Sequence, residues 1–347
     1  MLICGTTFGQ IYMEGVHKYT RNYEIVGILS KGSKQSKKCS EKYQVPLYTN
    51  LNDIDVTKID IVIIVIRSAI VGGKGSEIAK YFLNKGVHVI QEQPVHSDDI
   101  VQSLKTMRNQ DCLYMINTFY PYIETVKKFI QFAQKISRKC SLKYIEASCS
   151  IQVLYPLLDI LNQSLEGLSP ASLHDKKIQT GFFTQVFGEI KNVPFDIKIQ
   201  NQLDTSNPDN YFHIFHKITF YYESGRLTLN DTNQGVSWYP RVFIPNDEEG
   251  NLNLYIDNTL LNLPVSENIN THDYTYKNVY EEVWPRSIKN TIERFEDYIQ
   301  KPKDLNVYLQ QLFTLCQLWK EISQLIGPIE TINGTKISSL TLNEIND

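Results

Sequence analysis

The sequence predicts an α/β chain in two parts: a doubly wound parallel sheet, then an α+β part with a mostly antiparallel sheet. Three observations carry this. Strand and helix patterns alternate with short links through the first 118 residues. Long strand patterns then take over, and two helical stretches close the chain. At 347 residues the chain exceeds one ordinary core and suits two domains, read as 1–118 and 119–347.

The strands of the first part are Met1 to Cys4, Glu24 to Leu29 (EIVGIL), Ile61 to Ile66 (IVIIVI), Val87 to Gln91 and Leu113 to Asn117. IVIIVI is unbroken and β-branched, as expected of a strand covered on both faces. Helical patterns at Ile11 to Thr20, Lys74 to Lys85 and Ser97 to Asn109 separate them. Ser97, followed by Asp98 and Asp99, reads as a helix cap with acids in the first turn. In the second part the strand candidates are Leu142 to Val153, Gln179 to Ile190, Phe195 to Leu203, His213 to Glu223 and Arg226 to Asp231. Ser224-Gly225 reads as a hairpin turn. Pro302 divides the closing helices, Arg286 to Gln300 and Leu305 to Ile326, and the polar tail after Gly327 reads as loose.

Composition narrows the function. A net charge of −3 gives no sign of a nucleic-acid partner. No apolar run is long enough to span a bilayer, and MLICGTTFG lacks the charged leader of a signal peptide, so a cytoplasmic location is expected. Six scattered cysteines without a CxxC pair read as reduced thiols. His213 and His216 lie three apart on a strand pattern and would face opposite ways, so no metal site is expected there.

Gly5-Thr6-Thr7-Phe8-Gly9 sits between the first strand and the first helix. A dinucleotide pyrophosphate needs backbone N–H groups at a helix N-terminus and little side-chain bulk nearby. Gly5 suits the tight turn, and Gly9 would let the helix approach a phosphate. Two glycines alone equally suit a turn without a ligand, but this one opens a repeated β-α pattern, which favours a Rossmann-type cofactor site. NAD enzymes usually place an acid about twenty residues past that loop, on the ribose 2′-hydroxyl. Here Ser30-Lys31-Gly32-Ser33 stands instead, followed by Lys34, Ser36, Lys37 and Lys38. Such a basic stretch can be a solvated loop. Falling where the ribose belongs, its hydroxyls and ammonium groups favour a 2′-phosphate, and hence NADP (as NADPH), with Ser30, Lys31 and Ser33 as its ligands.

Ligands of open α/β sheets bind beyond the carboxyl ends of the strands. Three segments lie there: Arg67-Ser68-Ala69, Glu92-Gln93-Pro94-Val95-His96, and Asn117-Thr118-Phe119-Tyr120-Pro121. Tyr120 and His96 are the available proton donors. Each has an equally good structural reading, Tyr120 as an aromatic plug and His96 as a packed loop histidine.

Glu92-Gln93-Pro94 resembles the Glu-Lys-Pro signature of the glucose–fructose oxidoreductase (Gfo/Idh/MocA) superfamily. CGTTFGQIY, VIRSAIVGGKGSEIAKYFLNKGVHVIQEQPVHSDDI, INTFYPY and SIQVLYPLLDIL are similar to segments of one branch, the thiazolinyl imine reductases of siderophore biosynthesis. The resemblance is dense through roughly the first 165 residues. It implies NADPH-dependent reduction of a thiazoline to a thiazolidine while the substrate hangs on a nonribosomal peptide synthetase carrier domain. It also implies a proton donor at the middle of a Glu-His-Pro motif and at the tyrosine of NTFYP. The tyrosine matches Tyr120; the histidine position holds Gln93, which cannot donate and reload a proton as histidine does. The expected site is therefore Tyr120, His96 and Gln93 for chemistry, and Gly5, Thr6, Thr7, Phe8, Gly9, Ser30, Lys31, Ser33, Arg67 and Glu92 for the cofactor. Two rival readings stand beside it: a superfamily dehydrogenase acting on a free sugar or polyol, and a non-catalytic NADP-binding regulator. Superfamily analogy also suggests a homodimer paired through the second domain's sheet.

Overall fold

The computed structural model describes residues 1–66, 73–207, 209–270, 273–333 and 339–346. Among them, β1 (Leu2–Cys4), β2 (Gly27–Leu29), β3 (Leu47–Tyr48), β4 (Ile61–Ile64), β5 (His88–Glu92) and β6 (Tyr114–Asn117) form one sheet in the order β3-β2-β1-β4-β5-β6. Every pair in it is parallel. The order reverses between β1 and β4, the switch point where such sheets bind ligands at their carboxyl ends. Helices α1 (Gly9–Tyr19), α2 (Lys34–Tyr43), α3 (Lys74–Leu83) and α4 (Ser97–Arg108) make the connections. All four residues of β4 are buried, which is why its sequence is continuously apolar.

Two local expectations are corrected here. The basic stretch after Ser33 is the helix α2, not a loop. Ser33 caps it by accepting the Ser36 N–H at 3.2 Å, and the buried Ser36 hydroxyl donates back to the Ser33 carbonyl at 2.8 Å. Only Ser36 and Cys39 face inward, so the apolar period that marks a helix is nearly absent. At α4 the cap is His96 rather than Ser97: its Nδ1 accepts the Asp98 N–H at 3.3 Å.

The second part holds an eight-stranded sheet. Its strands are β7 (Leu142–Ser150), β8 (Ala171–Thr180), β9 (Phe183–Ile190), β10 (Val193–Gln200), β12 (His216–Tyr222), β13 (Gly225–Leu229), β14 (Val236–Pro240) and β15 (Glu267–Asn270), in the order β15-β14-β13-β12-β7-β10-β9-β8. β7 and β10 run parallel and the other neighbours antiparallel, so the predicted fold class holds. The single strand expected over Gln179 to Ile190 is two, broken where Gly181 turns with φ +57°. The hairpin turn falls on Glu223-Ser224, one residue earlier than expected. Gly225 opens β13 at φ +153°, where a Cβ would lie 2.2 Å from the Tyr239 carbonyl oxygen. The tail after Gly327 is not simply loose: β16 (Glu330–Ile332) pairs with β11 (Gln202–Asp204).

Two helices went unforeseen, α5 (Glu124–Ser137) and α6 (Leu154–Ser164), which pack on each other and against this sheet. The short α7 (Tyr276–Asn278) runs through a π-helical turn, Val279–Val283, into α8 (Trp284–Gln300) and then α9 (Pro302–Ile326). α8 returns to the first sheet and packs on α1. Gly15 permits the approach: a Cβ there would meet Ile288 Cβ at 2.4 Å and the Pro285 carbonyl oxygen at 2.6 Å. From α9, the Tyr308 hydroxyl accepts the Ile116 N–H of β6 at 2.9 Å. No helix among the described residues is long and apolar enough to cross a membrane.

Candidate active site

β1 delivers the chain into the glycine turn. Gly5 has φ +100°, and a Cβ on it would lie 2.3 Å from the Val65 carbonyl oxygen, so only glycine fits. Its N–H donates to the Leu29 carbonyl at 2.9 Å. α1 starts at Gly9, and the first N–H groups of a helix have no partner within it. A tight glycine cradle against a helix N-terminus fits a pyrophosphate. A Cβ on Gly9 would face Ile3 and Val65 at ordinary contact distances of 3.7–3.8 Å, so the contact of helix and sheet does not itself demand a glycine there. Thr6 is buried and Thr7 exposed. Phe8 packs edge-on against Phe119 at 5.1 Å, Trp284 at 5.9 Å and Tyr12 at 6.1 Å between ring centroids.

Beyond β2, Ser30 accepts the Gly32 N–H on its hydroxyl at 3.3 Å, and Lys31 and Ser33 are exposed at the N-terminus of α2. Gln35 of α2 donates to Gln10 of α1 at 2.8 Å, so the two helix starts stand side by side. Arg67 lies outside the described residues.

At the end of β6 the backbone turns sharply. Phe119 has φ +67° and ψ −56°, and the Tyr120 N–H donates to the Thr118 carbonyl at 2.8 Å. This is a γ-turn of the rare positive-φ kind, and such strain costs about 1–3 kcal/mol. Side chains hold it from both sides. Asn117 Oδ1 accepts the Phe119 N–H at 3.1 Å, and the Thr118 hydroxyl donates to the half-buried Asp159 of α6 at 2.5 Å. The turn drives the Tyr120 ring among Phe119 (5.5 Å), Phe215 (5.9 Å), Trp284 (6.2 Å) and the His216 ring (4.7 Å). Burial raises the Tyr120 phenol well above its ordinary pKa, with the nearby Glu92 charge adding to the shift. No hydrogen bond to its hydroxyl forms among the described residues, and the residue keeps 9% of its surface, so the hydroxyl is open to a bound molecule.

His216 is a fixed seat rather than a titrating group. Its Nε2 faces the Val153 carbonyl at 3.0 Å and its Nδ1 the Thr232 hydroxyl at 2.8 Å. A carbonyl only accepts, so Nε2 carries the proton and Nδ1 accepts. Burial lowers its pKa to about 4, and it stays neutral at neutral pH.

Glu92 ends β5 beside Tyr12 and Asn117. Its Oε2 accepts from the Tyr12 hydroxyl and, at 3.5 Å, from Asn117 Nδ2; the same Nδ2 donates to the Tyr12 oxygen. Burial raises the Glu92 pKa to about 8, against the lowering effect of the Tyr12 bond. Gln93 donates its N–H to the Asn117 carbonyl at 3.0 Å and precedes a cis peptide bond to Pro94. His96 is not drawn into this group: it caps α4, and no hydrogen bond or ring contact joins it to Tyr120 among the described residues.

Residues 1–118 match the oxidoreductase family with an NAD-binding Rossmann fold, and residues 141–239 match the Irp3-like C-terminal domain of thiazolinyl imine reductases. The chain is an oxidoreductase of the Gfo/Idh/MocA type with an Irp3-like C-terminal domain. Solved structures agree in fold. A dehydrogenase from Clostridium difficile superposes with a TM-score of 0.63 at 12% identity, covering 93% of this chain and 97% of its own. A 3-ketoreductase from Actinomadura kijaniata, in complex with TDP-benzene and NADP, gives 0.64 at 12% identity, with 96% and 98% covered. An oxidoreductase from Agrobacterium radiobacter, in complex with NAD+, gives 0.58 at 10%, with 87% and 88% covered. Comparison with curated protein sequences found no match.

Several residues of this oxidoreductase's site escaped sequence reasoning. Tyr12 sits within a helical apolar pattern and reads as core. Trp284 and Phe215 come from the other half of the chain, and no local pattern announces their arrival beside Tyr120. Trp284 is further fixed by donating to Asn233 at 3.0 Å. Asn117 was in view only as the first letter of NTFYP. A surface groove of about 600 Å³, lined by Lys143, Tyr221, Arg226, Tyr239 and Arg241, lies at the other end of β7 and β12 from His216 and is no part of this site.

Proposed function

We propose that this oxidoreductase uses NADPH to reduce a carrier-tethered thiazoline to a thiazolidine. The unpaired Tyr120 hydroxyl, set in an aromatic cage at the carboxyl end of the parallel sheet, is the observation that carries the reading. The Irp3-like match of residues 141–239 supports the substrate class, and the SKGS loop at the start of α2 supports NADPH. Gly5, Thr6, Thr7, Phe8 and Gly9 would hold the pyrophosphate, and Ser30, Lys31 and Ser33 the 2′-phosphate. The bound dinucleotide supplies hydride to the ring carbon.

This chain's own residues supply the rest. Imine reduction needs a proton at nitrogen as hydride reaches carbon, and Tyr120 is placed to give it. A positioned acid contributes typically about 10²–10⁴-fold. The high pKa keeps Tyr120 protonated in the resting enzyme. Glu92, with a pKa of about 8, is largely neutral at pH 7, so no full carboxylate charge opposes the phenolate that forms. Phe8, Phe119 and Trp284 exclude water around the ring. Gln93 orients the substrate or the nicotinamide amide.

The test is turnover. A synthetic thiazoline thioester should oxidise NADPH with a weak KM, because the carrier domain is missing, and a carrier-loaded substrate should lower that KM. Efficient oxidation of a free monosaccharide with inert thiazolines would replace this reading by the sugar dehydrogenase one. Binding of NADPH without turnover of either would favour a regulator.

A further inference from the structure

We propose that Asn117 is a positioning residue that fixes the turn presenting the Tyr120 hydroxyl and ties that turn to the Glu92 carboxyl. The inference rests on Tyr120 as proton donor and adds the part that aims it. Asn117 is fully buried, at the end of β6. Its Oδ1 takes the Phe119 N–H at 3.1 Å, the central amide of the strained turn. Its Nδ2 donates to the Tyr12 oxygen and faces Glu92 Oε2 at 3.5 Å. The amide can serve both sides in one orientation only. Turned over, its NH2 would face the Phe119 N–H, and its oxygen would face the Glu92 carboxyl oxygen. The backbone of the same residue continues the link, since its carbonyl accepts the Gln93 N–H at 3.0 Å.

So one side chain joins α1 through Tyr12, β5 through Glu92, and the turn that carries Tyr120. No other natural side chain of this size offers an acceptor and a donor at these two places. Aspartate keeps the acceptor for Phe119 but loses the donor and sets a second carboxyl beside Glu92. Leucine loses both.

The experiment places 3-fluorotyrosine at position 120 and records ¹⁹F NMR of the full-length protein, with and without NADPH. It compares the unaltered chain, Asn117→Asp and Asn117→Leu, alongside kcat, KM, the NADPH Kd and the pH–rate profile. Asn117→Leu should shift or split the resonance and lower kcat roughly tenfold or more, the scale of a misplaced reacting group, with the NADPH Kd little changed. Asn117→Asp should leave the resonance in place and move the pH–rate profile upward, because the added carboxyl disfavours ionisation of Glu92. An unmoved resonance and full kcat in Asn117→Leu overturn the proposal. If the leucine variant does not fold, Asn117→Asp decides, and an unshifted pH profile there overturns it. The resonance needs no turnover. A shift in the leucine variant of a protein that leaves thiazolines untouched would uphold the positioning and sink the substrate reading alone.

Discussion

Glu92→Gln should stabilise the protein at alkaline pH and leave it unchanged in acid. Burial raises the Glu92 carboxyl from 4.5 to about 8 in the folded chain. Below 4.5 both states hold the proton and nothing is lost. Between 4.5 and about 8 the folded state keeps a proton that the unfolded state has released, so stability falls as pH rises. Above about 8 the loss is complete. At about 1.4 kcal/mol per pH unit, the gap bounds the loss at about 5 kcal/mol. Glu92 is partly exposed, and solvent screens its charge, so about 2–4 kcal/mol is the expected measurable range. Glutamine keeps an acceptor for Tyr12 and Asn117 and has no charge to bury. Urea unfolding of both proteins at about pH 4.5 and about pH 9 reads the difference directly. Equal unfolding free energies at both pH values would refute the reasoning and mean that Glu92 titrates as an ordinary surface acid.

Four further outcomes are expected. Tyr120→Phe keeps the ring in its cage, so kcat should fall at least about tenfold with the NADPH Kd and the melting temperature nearly unchanged. Gln93→His should recover part of that loss, and a Tyr120→Phe enzyme with full kcat, where chemistry limits the rate, would remove the hydroxyl from the reaction. Lys31→Glu should erase most of a preference for NADPH over NADH, on the order of tenfold or more, read from both Kd values at fixed salt. Equal affinity of the unaltered protein for the two cofactors would sink the 2′-phosphate assignment. Gly15→Ala should lower stability by about 1–3 kcal/mol through the clash with Ile288 and Pro285, measured by thermal unfolding, and an unchanged melting temperature would show that α8 simply moves aside.

What the sequence revealed depended on how local the cause was. The parallel sheet was legible because buried strands such as Ile61–Ile64 must be apolar throughout, a constraint within one segment. Gly5 was legible because a positive φ against Val65 excludes any side chain. Helix α2 was hidden because its outer face is almost wholly polar and charged and its inner face only Ser36 and Cys39. The run Leu142 to Val153 reads as strand to its end because nothing in Ile151-Gln152-Val153 marks the 3₁₀ turn that leads into α6. At the site, Tyr120 could be named from its motif, but its cage could not. Phe215, His216 and Trp284 reach it across about a hundred residues or more of sequence, and only the packed structure brings them together.

That packing suggests why the site is divided as it is. Phe8 belongs to the proposed phosphate cradle, and its ring rests on Trp284 of α8 and Phe119 of the turn. Tyr12, one helical turn further along α1, holds Glu92. α1 itself is clamped to α8 at Gly15. The helix whose N-terminus would face the pyrophosphate therefore also bears the contacts that set the proposed acid and its neighbouring carboxyl. Interiors packed this closely transmit small displacements rather than absorb them. A shift of α1 would be felt at Phe8, Tyr12 and Trp284 together, and so at Tyr120. On this view, a well-formed cradle and a well-aimed hydroxyl are one mechanical condition. Substitutions at the α1–α8 contact, far from any reacting atom, should then disturb kcat and cofactor affinity together.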